Sequence, residues 1–276
     1  MTRWFVLLVW GLACLSPLPL FAEPSSNEAL TKELMKLSGL EFQLRQSSQQ
    51  MLDGLNERRK ELPTDQHNAL RRALGEAFKA ETLERLVSQH IQAHLPRDVA
   101  EKTLVWLRTD LGRTITKLEE AASTTQGTQK MQSYAQQLAA TPPPPSRLQL
   151  ARRLDRATRS SETLLTLMEA MELGIAQAAD AAEPKERRLG IDRLRVQIER
   201  KRPLLREASE QSSIVAMLYA YQSLSDDQLE RYRDFLTSEI GRRYITVTTT
   251  AVREAHLMAI DKMSRALDVK TSSDRQ

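Results

Sequence analysis

Residues 224–244 read Leu-Ser-Asp-Asp-Gln-Leu-Glu-Arg-Tyr-Arg-Asp-Phe-Leu-Thr-Ser-Glu-Ile-Gly-Arg-Arg-Tyr, and residues 95–115 read Leu-Pro-Arg-Asp-Val-Ala-Glu-Lys-Thr-Leu-Val-Trp-Leu-Arg-Thr-Asp-Leu-Gly-Arg-Thr-Ile. The two are copies at a constant offset of 129. Asp98 pairs with Asp227, Glu101 with Glu230, Trp106 with Phe235, Leu107 with Leu236, and Gly112-Arg113 with Gly241-Arg242. A chain that carries one stretch twice has to give it two similar surroundings, which restricts its folds to duplicated or internally matched arrangements.

The stretch itself reads as a helix start, a helix and a break. Ser225 with Gln228 forms a capping-box pattern, and Pro96 takes the corresponding place in the first copy, where a missing N–H is harmless. Leu229, Tyr232, Phe235, Leu236 and Ile240 recur at three- and four-residue spacing and make one apolar stripe. Gly112 and Gly241 follow that stripe, either to end a helix in the left-handed region or to admit a neighbouring backbone. Matches continue on both sides. Met131, Tyr134 and Leu138 fall opposite Ile260, Met263 and Leu267, while Leu34, Leu37, Leu40, Glu41 and Leu44 match Leu165, Met168, Met171, Glu172 and Ile175 at offset 131. Each unit is therefore domain-sized, about 110–130 residues, and not a short solenoid repeat.

The junction motif resembles the secreted bacterial family catalogued as domain of unknown function 2059, through Phe235, Ser238, Gly241, Arg242 and Arg243. The first copy shares Trp106, Gly112 and Arg113 but has Thr109 in place of the serine, so the second copy matches better. The family's usual Pro before the Gly region is absent from both copies, and its Phe-Tyr pair is reduced to one aromatic. The resemblance implies an exported, all-helical protein built from two tandem copies. It implies no activity.

Residues 1–22 have the make-up of a secretory signal peptide: Arg3, an apolar run from Trp4 to Ala13, Pro17, Pro19 and a small residue at Ala22. The apolar length and the prolines argue against an uncleaved membrane anchor. Cys14 is the only cysteine, and Gly11-Leu-Ala-Cys14 is a poor lipoprotein box. Cleavage near Ala22 predicts a periplasmic or secreted chain free of thiol chemistry. The composition, scarce in Gly and aromatics and rich in Ala, Leu, Gln, Glu, Arg and Met, predicts an all-α fold. The β-branched run Ile245–Val252 is read as helix, because its aligned copy, 116–123, looks helical. The predicted organisation is a first helical unit over 23–140, a proline spacer over 141–146, a second helical unit over 147–270 and a frayed tail over 271–276. Within the second unit the pattern predicts helices over 147–180 and 184–201, a restart at Pro203, and 226–268. Two units with separate cores are expected, each anchored by its own aromatic, Trp106 or Phe235.

Candidate sites are few. His90 and His94 stand one helical turn apart, a spacing that suits two metal ligands, but no third ligand is evident in sequence. Residues 185–206 hold nine basic and three acidic side chains, a surplus of six, whereas residues 23–141 hold sixteen of each. Arg188, Arg195, Arg200, Lys201 and Arg202 therefore form a candidate anion-binding surface, set against a plain solvated face with pairs such as Arg188–Asp192 and Arg195–Glu199. The repeated carboxylates Asp98/Asp227 and Glu101/Glu230 lie at helix starts, where acidic groups oppose the macrodipole. Trp106, Gly112, Arg113, Phe235, Gly241 and Arg242 read as structural. No nucleophile elbow, P-loop or dinucleotide fingerprint occurs, and no catalytic, cofactor or metal set is assigned. Few aromatics and an export leader argue against nucleic acid as a partner.

These features predict an exported helical binding module of the bacterial cell envelope, not an enzyme. Its partner would be an envelope protein or polymer, with peripheral contact at anionic surfaces. Two alternatives stand beside it. One is a metal-assisted hydrolase using His90 and His94. The other is a carrier of an apolar ligand held between the units near Met168, Met171, Met217 and Met258.

Overall fold

The computed structural model describes residues 26–57, 59–60 and 63–273. Residues 1–22, expected from sequence to be a signal peptide, lie outside the described residues. Every regular element described is helical, so the fold is all-α. The first half carries α1 (Ser26–Leu37), α2 (Leu40–Glu57), α3 (Thr64–Ala77), α4 (Ala80–His94), α5 (Arg97–Leu107), α6 (Asp110–Ala122) and α7 (Thr125–Ala140). The second half carries α8 (Pro145–Thr158), α9 (Ser160–Ala182), α10 (Ile191–Ala220), α11 (Asp226–Thr237) and α12 (Glu239–Ser273), with a short 3-10 turn over Lys185–Arg187. Ile245–Val252 lies inside α12 and is helical. That helix runs on to Ser273, into the segment read as a frayed tail, and residues 274–276 lie outside the described residues.

The helix expected over 184–201 begins only at Ile191, and the one expected over 226–268 is split at Ser238 into α11 and α12. Three further boundaries depart from the sequence reading, each for a local reason. The helix expected over 147–180 is broken at Arg159, whose φ of 57° is left-handed. The buried carboxylate of Asp155 holds this corner by accepting from Ser161 N at 2.9 Å, Ser161 Oγ at 2.7 Å and Ser213 Oγ at 2.6 Å. Pro203 does not restart a helix but sits inside α10. The proline spacer is shorter than 141–146: α8 begins at Pro145, which suits a first helical turn.

The hydrophobic cores do not follow the spacer. One cluster joins Leu34, Phe78, Leu83, Val87, Ile91, Val99 and Leu104 of the first half to Tyr244, Ala251, Ala255, Ala259, Ile260 and Met263 of α12. The other joins Leu150, Leu154, Leu218, Leu229 and Leu236 of the second half to Ile115 of α6, with Leu111, Leu118, Tyr134 and Leu138 packed alongside. The expectation of separate cores is corrected accordingly. In each half, the helix that carries the Gly-Arg motif packs within its own half and also contributes to the core of the other. The cause lies in the apolar pattern. α12 buries a small Ala seam at 251, 255 and 259 in the first-half cluster, packing on α3, α4 and α9, and α6 presents Ile115 and Leu118 to α10 and α11.

Candidate functional site

The two junctions have the same chemistry. Thr109 Oγ1 accepts from Gly112 N at 3.0 Å, and Ser238 Oγ accepts from Gly241 N at 3.0 Å, so each hydroxyl caps the helix that follows. Each hydroxyl also donates back to the preceding helix, Thr109 to Trp106 O at 2.7 Å and Ser238 to Phe235 O at 2.6 Å. Arg113 donates to Arg108 O, and Arg242 donates to Thr237 O. The glycines serve close approach, without a positive φ. A Cβ on Gly112 would overlap Trp106 O and lie 3.0 Å from Leu107 Cα. One on Gly241 would overlap Phe235 O and lie 2.8 Å from Leu236 Cα.

The junctions also face each other. Trp106 and Phe235, equivalent residues of the two copies, stack with centroids 4.1 Å apart and planes inclined by 9°. Both are half-buried. Tyr232 extends the stack at 5.4 Å from Trp106. Below it, Tyr221 and Tyr232 donate their hydroxyls to Glu119 Oε1 at 2.5 and 3.1 Å. Burial pushes the Glu119 carboxyl up, and the two phenol bonds pull it part of the way back. Burial also raises both phenols well above the usual tyrosine value and pushes Tyr244 up to about 12. This polar cluster ties α6 of one half to α10 and α11 of the other. It encloses its acid with two phenols.

Of the two histidines singled out in sequence, His90 is brought to α12 and His94 is exposed beside it. His90 Nδ1 lies 3.1 Å from Glu254 Oε2, and the His94 ring sits 4.4 Å from that of His90. Among the described residues, no group of three or more His, Cys, Asp or Glu is placed to hold a metal ion. A third histidine, His256, is buried against Phe78, with Nδ1 2.8 Å from Val252 O and Nε2 3.5 Å from Ser47 Oγ. Burial lowers its pKa. The repeated carboxylates are engaged as helix-surface pairs: Glu101 with Arg97 at 2.8 Å, Asp98 with Lys102 at 3.4 Å, and Glu230 with Arg153 at 2.6 Å. The methionines named for a ligand carrier are scattered in environment: Met217 is buried, Met168 and Met171 are half-buried, and Met258 is exposed. A groove of about 370 Å³ on α10 is lined by Glu199, Arg202, Pro203, Arg206, Glu207 and Glu210, and none of these four methionines lines it.

The basic residues divide into tied and outward-facing ones. Arg188 donates to Glu183 O at 3.0 Å and Ala181 O at 2.8 Å, capping α9. Arg195 lies 3.8 Å from Asp192, Lys201 2.8 Å from Glu172, and Arg202 3.1 Å from Glu169. Arg200 is exposed, as is Arg193. Neither has an ion-pair partner among the described residues. Asp180 accepts from Leu189 N at 2.7 Å and Gly190 N at 3.0 Å, which pins the turn between α9 and α10. Sequence reasoning missed Glu119, Tyr221, Arg193 and Asp155. For Arg193, helical spacing from Arg200 was a usable signal; the others depend on contacts across the fold.

Comparison with protein-family models, curated proteins and solved structures finds no match to this chain.

Proposed function

We propose that this chain is an exported, all-helical binding module of the bacterial cell envelope, built by tandem duplication, and that it engages its partner through the hairpin of α9 and α10. The observation that carries the reading is an unequal pair. Leu44 on α2 is 2% exposed, while its repeat counterpart Ile175 on α9 is 54% exposed. In the first half the chain breaks at Phe78–Lys79, and α3 and α4 both pack on α2. At the matching place, residues 207–208, α10 continues unbroken, and α9 packs on α10 and α12 while the side that carries Ile175 stays uncovered. The most apolar of the long helices is thereby left half-open, and Leu189, Val196 and Leu204 are exposed beside it. Exposed apolar side chains grouped on one rigid element mark an interaction surface better than scattered ones do.

Photo-crosslinking in intact cells tests this. A photoreactive residue at position 175, 196 or 204 is expected to give envelope adducts, and one at the equally exposed Val105 on α5 is not. Adducts that form from Val105 as readily as from the hairpin, or from none of these positions, contradict the reading.

A further inference from the structure

We propose that the outward face of α10 docks on an anionic lipid bilayer. This rests on the hairpin reading above and names the partner of that surface. Arg193, Val196, Arg200 and Leu204 follow one another at spacings of three, four and four residues, which lines them up along one side of α10, and Leu189 lies just before the helix begins at Ile191. All five are exposed, Val196 at 52% and Leu204 at 70%. Alongside the stripe, the buried residues of the same helix, Leu194, Leu205 and Ser209, point away from it, and the further buried residues Ser213, Met217 and Leu218 lie beyond its end. Apolar and basic side chains thus alternate on the solvent face.

The acids of this region are kept off the stripe. Asp192 and Glu199 sit on its flank, toward Arg195 and Arg202. Glu169 and Glu172 of α9 reach Arg202 and Lys201 from the other helix. Glu207, one turn beyond Leu204, is the first carboxylate on the outward side. Arg193 and Arg200 therefore present their charge outward, within a segment carrying six surplus positive charges.

The geometry selects among occupants. A bilayer is a plane, and a stripe of exposed side chains along one side of a helix can meet a plane over several turns. Leucine and valine can enter the boundary between headgroups and acyl chains while the arginines reach the phosphates above them. A second copy would bring like charge onto like charge. A tight protein interface centres on aromatic anchors in pockets, and this stripe has neither aromatic nor concavity. No helix among the described residues is long and apolar enough to cross a membrane, so the contact is peripheral. Binding of this kind is reversible and weakens with salt.

The test is flotation of the full chain with vesicles of phosphatidylcholine, alone or mixed with phosphatidylglycerol. Any contribution of residues 1–22 is common to wild type and variants. The wild type is expected to float with the anionic vesicles, to stay behind with the neutral ones, and to be released by added salt. Arg193→Glu with Arg200→Glu, and separately Val196→Ser with Leu204→Ser, each lower binding by roughly tenfold or more, about what two lost interfacial groups amount to. Arg85→Glu with Lys102→Glu, the same charge change on exposed positions of α4 and α5, leaves it within about twofold. Circular dichroism checks that each variant stays folded. Equal losses from the stripe and control pairs, or binding indifferent to phosphatidylglycerol, overturn the proposal. Hairpin crosslinks to a protein in cells, with no vesicle binding, overturn it while leaving the hairpin reading in place.

Discussion

The junction after Trp106 and the junction after Phe235 are built from the same bonds and then lead to different ends. Both carry a hydroxyl cap, a glycine pressed on the preceding backbone and an arginine donating to the preceding helix. Beyond the first, α6 stops at Ala122, and Thr124 caps a new helix at Gly127, again on a close backbone contact. Beyond the second, His256 stands where Gly127 stands in the first copy, and α12 continues unbroken. Glu119 in the first copy is matched by the buried Thr248 in the second. A short local code thus fixes the turn, and one or two substitutions downstream decide how far the following helix runs and what polar group it carries into the other half's core.

The strongest way to break the comparison is to remove the close approach. Gly241→Ala and Gly112→Ala each force a Cβ into backbone that cannot yield without opening the junction, at an expected cost of about 3 kcal/mol. The cost should be larger for Gly241, where the approach is tighter. Chemical denaturation measures it; a loss below about 1 kcal/mol at both sites would mean that the junctions are loosely set. Next come the caps. Ser238→Ala and Thr109→Ala should each cost about 1 kcal/mol, the usual value of a lost helix cap. A cap that matters in one copy only would show that the matched geometry hides unequal energetics.

The smallest effects sharpen the contrast between Glu119 and His256, because their pH dependences have opposite signs. The folded pKa of Glu119 lies above its unfolded value, so its contribution is present in acid, below the unfolded carboxyl range, and is lost as pH rises through the folded value. The folded pKa of His256 lies below its unfolded value, so its contribution is present above pH about 6.5 and is lost as pH falls through the folded value. Denaturation across pH is expected to show Glu119→Gln without the loss on the alkaline side and His256→Gln without the loss on the acid side. Variants that keep the wild-type profile would remove these groups from the account.

Much of this was legible in sequence where the cause is local. Apolar periodicity marks α11 and its match α5, and the capping box of Ser225 with Gln228 is formed as written. The glycines were readable as either of two devices, and close approach is the one used. Pairing on the basic segment was misread for a simple reason. Arg188 precedes the start of α10 at Ile191, so helical spacing to Asp192 does not apply, and Arg195 turns to Asp192 instead of Glu199. The left-handed corner at Arg159 has no glycine to announce it; it depends on Asp155, whose third bond comes from Ser213, 58 residues away. The sharing of helices between cores is non-local as well. Its one trace in sequence is that equivalent residues of two copies, Trp106 and Phe235, are both aromatic and so can stack where the copies meet.

That stack tests the central claim, a core shared across the proline linker, most directly. Trp106→Ala and Phe235→Ala are each expected to cost about 2–3 kcal/mol, less than a fully buried aromatic because both rings are half-buried. The double variant decides. If the rings stabilise each other, its loss falls short of the sum of the single losses by about 0.5–1.5 kcal/mol, the coupling of an aromatic pair. Single losses that add within about 0.3 kcal/mol, with two separate unfolding transitions, would contradict the shared core and return each aromatic to a unit of its own.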